Sequence, residues 1–299
     1  MPAIPAPFEL LRRRLRAFTR TLPSVAGPDT QTVDRAWEAS RRLREILPVL
    51  ELDASAAEKL AERLGKVTKR LATVGQTQRL LELLDDLDAT ERRNRYAVAR
   101  MRVELQRLAQ AARAELSRRR SSHDARRTAE KLAAVVEQLS LAGQNRTHAR
   151  TVRWALRARV ARRSADLKDA IGAAGSVYLP GRLRAVHAAL RKLRYGAELA
   201  SQLAGFVDPA EARTLARTQA LLGRVDDLQV LITHIRDAQS LLPTPDVKAW
   251  RDLDAVVIAL ETRCRGLHAR YVRDREALVA LCDRLASRAP ADGARRKVG

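Results

Sequence analysis

Aromatic side chains are scarce in this sequence: three Phe, three Trp and four Tyr make up 3% of the chain. That argues against modules that stack unpaired bases on Phe and Tyr platforms. Cysteine is confined to Cys264 and Cys282, which lie in a stretch of helical periodicity. Two residues so far apart on one straight helix cannot reach disulfide geometry, which leaves both as small core or surface residues. Acidic residues are outnumbered, 35 Asp and Glu against 57 Lys and Arg, for a formal charge of +22. A compact fold with that charge repels itself unless a polyanion or counterions neutralise part of it. The first expectation is therefore a polyanionic partner, read as a string of phosphates. No run of about 20 apolar residues occurs, so no transmembrane helix is predicted. The opening MPAIPAPF lacks the basic and apolar regions of a signal peptide, and the cytoplasm is the expected location.

Strand-like alternation of β-branched residues is also nearly absent. Leu, Ala, Arg and Glu dominate, and apolar residues recur every three or four positions, so the fold class is all-α. Breaks are expected at Pro23 to Pro28, Pro48 to Ser55, near Gly75, Ser121 to Asp124, Gly143, Gly172 to Gly181, Gly205 to Pro209, near Gly223, and Pro243 to Pro245. Between them lie long helices, including 91–120, 145–171 and 246–288, of lengths that suit antiparallel bundles. The closing ADGARRKVG reads as a frayed basic tail.

The chain repeats itself. Arg41-Arg42-Leu43-Arg44 returns as Arg191-Lys192-Leu193-Arg194, each copy read as following a turn and opening a helix. LATVGQTQRLL at 71–81 aligns with LLGRVDDLQVLI at 221–232, pairing Leu71 with Leu222, Val74 with Val225, Gln78 with Gln229 and Leu80 with Leu231. LRRRL at 11–15 has a counterpart in LRARV at 156–160. These matches predict two antiparallel helical bundles related by a pseudo-twofold axis, 1–143 and 144–299, together forming one domain with the two basic helices brought to a central surface.

At about 100° per residue, positions 184, 187, 191, 194 and 198 share a stripe about 80° wide, as do 34, 37, 41 and 44. The second stripe reads Arg184, His187, Arg191, Arg194 and Glu198; the first reads Asp34, Trp37, Arg41 and Arg44. Like charges three and four residues apart repel by a few tenths of a kcal/mol, and a row of oxyanions reverses that penalty. Guanidinium groups suit the task because they offer a fixed fork of donors and stay charged. The alternative is that these stripes are solvated faces balanced by neighbouring acids. Other basic clusters, Arg12 to Arg14, Arg118 to Arg120 and Arg157 to Arg163, read as solvated surface, with Arg16, Arg20, Arg153 and Arg157 as candidates for extending a groove.

The stretches HAALRKLRYGAELA and LARTQALLGRVDDLQVL resemble the second repeat of the CHAD family, the conserved histidine α-helical domain; RAWEASRRLREILPVL and LATVGQTQRLL resemble its first. The resemblance covers roughly 8–285. It implies a two-bundle helical fold that binds inorganic polyphosphate on a basic central surface without chemistry of its own, and it points to polyphosphate granules. By position it implies Arg41, Arg42 and Arg44 on the first motif, and Arg191, Lys192, Arg194, Tyr195 and Glu198 on the second. Leu222, Gly223, Val225 and Asp227 match a downstream turn, where Asp227 would orient a basic residue or cap a helix. This sequence departs from the pattern in five places. Asp34 and Arg184 occupy the histidine positions, Trp37 and His187 the arginine positions. Gln76 stands where the first turn would carry Asp. Asp34 would repel phosphate unless it pairs with Arg35 or with another helix.

Enzymatic readings find little support. His123, His148, His187, His234 and His268 lie in separate segments without an HExxH or CxxC pair. No GxxxxGK phosphate loop occurs, and the ExExK signature of the CYTH domain that accompanies some CHAD chains is missing. The expectation is a non-enzymatic protein with no cofactor or metal, whose polyphosphate-binding residues are Arg41, Arg42, Arg44, Arg184, His187, Arg191, Lys192, Arg194 and Tyr195, with Arg16, Arg20, Arg153 and Arg157 as extensions. A nucleic-acid binder and a helical scaffold are the alternatives.

Overall fold

The computed structural model describes residues 5–22, 30–50, 52–90, 95–141, 146–242 and 247–288. These form nine α-helices and no strand: α1 (Pro7–Thr21), α2 (Thr30–Ile46), α3 (Ala54–Thr90), α4 (Arg95–Ser117), α5 (Arg119–Leu141), α6 (Arg146–Ala174), α7 (Pro180–Ala204), α8 (Pro209–Ser240) and α9 (Val247–Ser287). A single 3-10 turn at Leu47–Val49 follows α2. Proline opens α1, α7 and α8, where its missing N–H costs nothing and its φ is already helical. Asp208 caps α8 by accepting from the Ala210 N–H, and the Glu211 carboxylate accepts from the Asp208 N–H. Gly205 closes α7 in the left-handed conformation.

The predicted helices 91–120, 145–171 and 246–288 correspond to α4, α6 and α9. Three expected breaks are corrected. Gly75 lies inside α3 and Gly223 inside α8, and the chain turns between α4 and α5 at Arg118, ahead of Ser121. Glycine in a helix interior costs about 1 kcal/mol against alanine, and at position 75 it leaves room for a neighbouring helix's side chain: a Cβ there would stand 2.9 Å from Asp34 Oδ1, which would have to shift. The stretch matched to a turn, Leu222 to Asp227, is therefore mid-helix. The two RxLR stretches do not open helices either; each lies well inside its own, beginning at Thr30 and at Pro180. The segments Pro23 to Pro28 and Pro243 to Pro245, Gly143 and the closing tail lie outside the described residues.

Within the first half, α1 packs on α2, α2 on α3, α3 on α4 and α5, and α5 back on α1; within the second, α6, α7, α8 and α9 close the same circuit. Between halves, α2 meets α7, α3 meets α8 and α4 meets α9. Three pairs of helices at corresponding places in the two sequence repeats thus face one another. The buried side chains form two clusters, and both draw on both halves. One joins Leu10, Leu43, Leu71 and Leu132 to Leu156, Leu193, Leu222 and Leu281; the other joins Leu84 and Leu105 to Leu228 and Leu260. Cys264 and Cys282 are both free and buried on α9. No helix among the described residues is long and apolar enough to cross a membrane.

Candidate functional site

Leu43 and Leu193 are fully buried, and by anchoring α2 and α7 in the shared core they fix which way the neighbouring basic residues point. Arg41 is pressed between the halves, its guanidinium 4.9 Å from the Trp37 ring on its own helix and 5.7 Å from the Tyr195 ring on α7. Arg194 covers the same tyrosine at 5.4 Å. Burial, and then the positive charge of Arg191, pull the Arg41 pKa down to about 10, so it remains a cation at neutral pH. Its Nε is buried without a hydrogen-bond partner. The Tyr195 hydroxyl is likewise unpartnered, and burial raises its pKa.

The predicted cations divide by what holds them. Among the described residues Arg41, Arg44, Arg191 and Lys192 have no carboxylate partner. Arg42 is engaged: its Nε approaches Glu198 to 2.8 Å, off the N–H axis, and its Nη2 lies 3.2 Å from Glu38. Burial works against that charge, yet the two glutamates hold the Arg42 pKa above its ordinary value. Arg194 donates to Gln219 at 3.2 Å and stands 4.0 Å from Glu38. Arg184 donates to Asp226 at 3.0 Å, and His187 Nδ1 lies 3.6 Å from the other oxygen of that carboxylate. His187 and Arg184 together hold the Asp226 carboxyl below the usual range.

A cleft of about 410 Å³ opens between α2, α3, α7 and α8, with Trp37, His187 and Arg191 in its lining. Gly75 and Gly223 give it depth, the first beside Asp34 and the second 3.7 Å from His187 Nε2, measured from where a Cβ would sit. Arg79, which the repeat matching did not single out because its counterpart is Val230, donates to Asp227 at 3.1 Å and to Asp34 at 3.5 Å. Asp34 thus pairs with another helix, while Arg35 bonds Gln31. Asp227 caps nothing and orients Arg79. Burial raises the pKa of both Asp34 and Asp227 against the opposing pull of Arg79. Arg224 also lines the cleft and is held by Asp86 at 2.6 Å.

The outlying candidates do not join this cleft. Arg16 lines a separate, largely apolar groove of about 800 Å³ between α1 and α5. Arg20 is exposed at the end of α1, and Arg153 and Arg157 are exposed on α6, where Arg157 covers the Phe206 ring at 5.6 Å. Clusters expected to be solvated are partly interior. Arg14 is 6% exposed, and Arg159 and Arg163 both engage the buried Glu45. Their burial left no mark in the local sequence, because it is set by helices from the opposite half. Among the described residues no group of three or more His, Cys, Asp or Glu is placed to hold a metal ion.

Comparison with solved structures finds the fold elsewhere. The CHAD domain from the plant Ricinus communis superposes with a TM-score of 0.61 at 20% identity, covering 97% of this chain and 95% of the other. PptA from Streptomyces chartreusis gives 0.51 at 18% identity, covering 95% and 97%. No curated protein sequence matches. The family model of the CHAD domain matches residues 9–236, and the chain belongs to the CHAD domain family.

Proposed function

We propose that this protein binds inorganic polyphosphate on the surface where α2 meets α7, beside the cleft, and that it does so without catalysing a reaction. The observation that carries the reading is the Arg41 and Arg191 pair: two guanidinium groups from opposite halves, near enough to depress a pKa, with no carboxylate partner on either. Such an arrangement is unfavourable in the free protein and favourable around a multivalent anion. Arg44 and Lys192 extend the unpaired set. The scarcity of aromatics and the absence of a recognisable helix-turn-helix weigh against a nucleic acid as the preferred polyanion. Family membership supports the same reading, and polyphosphate granules follow as the site of action.

Competition decides the ligand. Labelled long-chain polyphosphate is titrated at near-physiological salt and displaced with RNA or duplex DNA at equal phosphate concentration. Polyphosphate is expected to win by more than tenfold; displacement at parity by either nucleic acid overturns the proposal. The logarithm of affinity should fall linearly with that of salt, with a slope of about −0.7 for each phosphate neutralised.

Asp34 gives this binding a pH dependence of defined sign. With their pKa values raised by burial, Asp34 and Asp227 take up protons at a higher pH than exposed carboxylates do. Each protonation removes a negative charge facing the ligand, so affinity should rise between pH 7.5 and pH about 5. Asp34→Asn should bind about fivefold tighter at pH 7.5 and show a flatter profile, both measured by titration at fixed ionic strength.

A further inference from the structure

Two facing cationic helices need something to hold them together, and the structure supplies it twice, in matching form. On α2, Glu45 is 9% exposed. It accepts two bonds from Arg163 and lies 3.0 Å from Arg159 Nε, both arginines belonging to α6 of the other half. Arg163 also donates to the main-chain carbonyl of Lys192 at 2.8 Å. On α7, Glu198 holds Arg42 at 2.8 Å and receives Arg14 of α1 at 3.9 Å. Arg14 in turn donates to the main-chain carbonyl of Arg42 at 2.6 Å and to Gln202 at 2.9 Å. In each half, an arginine of the first helix grips the carbonyl of the basic pair's second member, Arg42 or Lys192, and extends to a glutamate of the opposite half.

We infer that Glu45 and Glu198 are positioning residues for the polyanion site, carboxylates that tie each basic helix to the opposite half and so keep Arg41 and Arg191 within reach of one anion. The inference rests on the function proposed above. It makes a prediction of unusual sign. On charge alone, neutralising an acid in a polyanion-binding protein strengthens binding. If these acids set geometry, neutralising them weakens it, because the unpaired arginines they leave behind rearrange.

The test measures long-chain polyphosphate affinity and its salt slope for the intact protein and for Glu45→Gln, Glu198→Gln, Gly196→Ala and Glu62→Gln, with folding checked by circular dichroism. Both brace variants should bind about tenfold more weakly, with a salt slope shallower by about one phosphate contact, a readout that a mere loss of stability does not move. Gly196→Ala changes no charge. Its Cβ would stand 2.8 Å from Arg163 Nη1, pushing that arginine off Glu45, and it should weaken binding in the same direction. Glu62 is exposed and pairs with Lys66 one turn along α3, so Glu62→Gln should bind as well as wild type or slightly better. Folded Glu45→Gln and Glu198→Gln proteins that bind as tightly as wild type, or tighter, would overturn the inference; should neither fold, undiminished binding by Gly196→Ala does so. Failure of the wild type to bind polyphosphate would instead sink the function it rests on.

Discussion

Replacing Arg41 and Arg191 together by alanine should lower polyphosphate affinity about a hundredfold while leaving the melting temperature unchanged or raised. Each charge-assisted hydrogen bond to an ionised partner contributes about 1.5–3 kcal/mol, and about 1.4 kcal/mol is a factor of ten, so each single variant should lose about tenfold. The thermal expectation follows from the free protein. Arg41 is desolvated and faces the like charge of Arg191, and the pull of Glu45 offsets those costs only in part. Removing Arg41 relieves that repulsion and gives up the weak pull of Glu45 and the contacts with the Trp37 and Tyr195 rings, the rings worth about 1 kcal/mol between them. A binder whose ligand contacts are also its structural ion pairs would lose both properties together. Titration of the two singles and the double, set beside their melting curves, separates the cases. An affinity unchanged in the folded double variant would mean that the ligand lies elsewhere. Arg42→Ala is the useful contrast, because Arg42 is already neutralised by Glu198 and Glu38 and removing it frees two acids near the site.

The division between free and engaged cations is the part of the site that the sequence did not carry. Arg41 and Arg42 are neighbours with identical side chains, and the one local hint that ranks them is Glu38, four residues before Arg42 and paired with it. They differ because Arg42 points to Glu198, far along the chain on α7, and Arg41 does not. Arg184 and Arg191 share one stripe, yet Arg184 is held by Asp226 of α8. Partners supplied by another helix leave no local periodicity to detect. The helical class, the length of α9 and the matching of α2 with α7 were legible, since each rests on apolar spacing that the core enforces. Glycine was the misleading signal. Gly75 and Gly223 read as breaks, and both mark places where a polar side chain of a neighbouring helix comes close to the backbone, a packing demand that composition cannot distinguish from a turn. The same blindness made Arg14, Arg159 and Arg163 look like solvent-facing charge.

Leu193→Ala should do the reverse of Arg191→Ala two positions earlier: a large loss of stability with little loss of affinity. The Leu193 side chain is fully buried in the cluster shared by both halves, as is Leu43 at the corresponding place on α2. Truncating a buried leucine removes its transfer free energy and leaves a cavity, for a cost of about 2–5 kcal/mol. In a chain of this size that corresponds to a melting temperature lower by about 5–10 °C. Binding measured well below the transition should fall no more than about threefold, because the unpaired guanidinium groups and the glutamates that brace their helices are all still present. Leu43→Ala should behave alike, and the double variant should lose more than the sum of the singles if the two cavities merge at the meeting of α2 and α7. Should Leu193→Ala abolish binding while the protein remains folded, the packing between α2 and α7 would itself be setting the spacing of Arg41 and Arg191, and the division of labour between apolar anchor and cationic face within one RxLR stretch would be wrong.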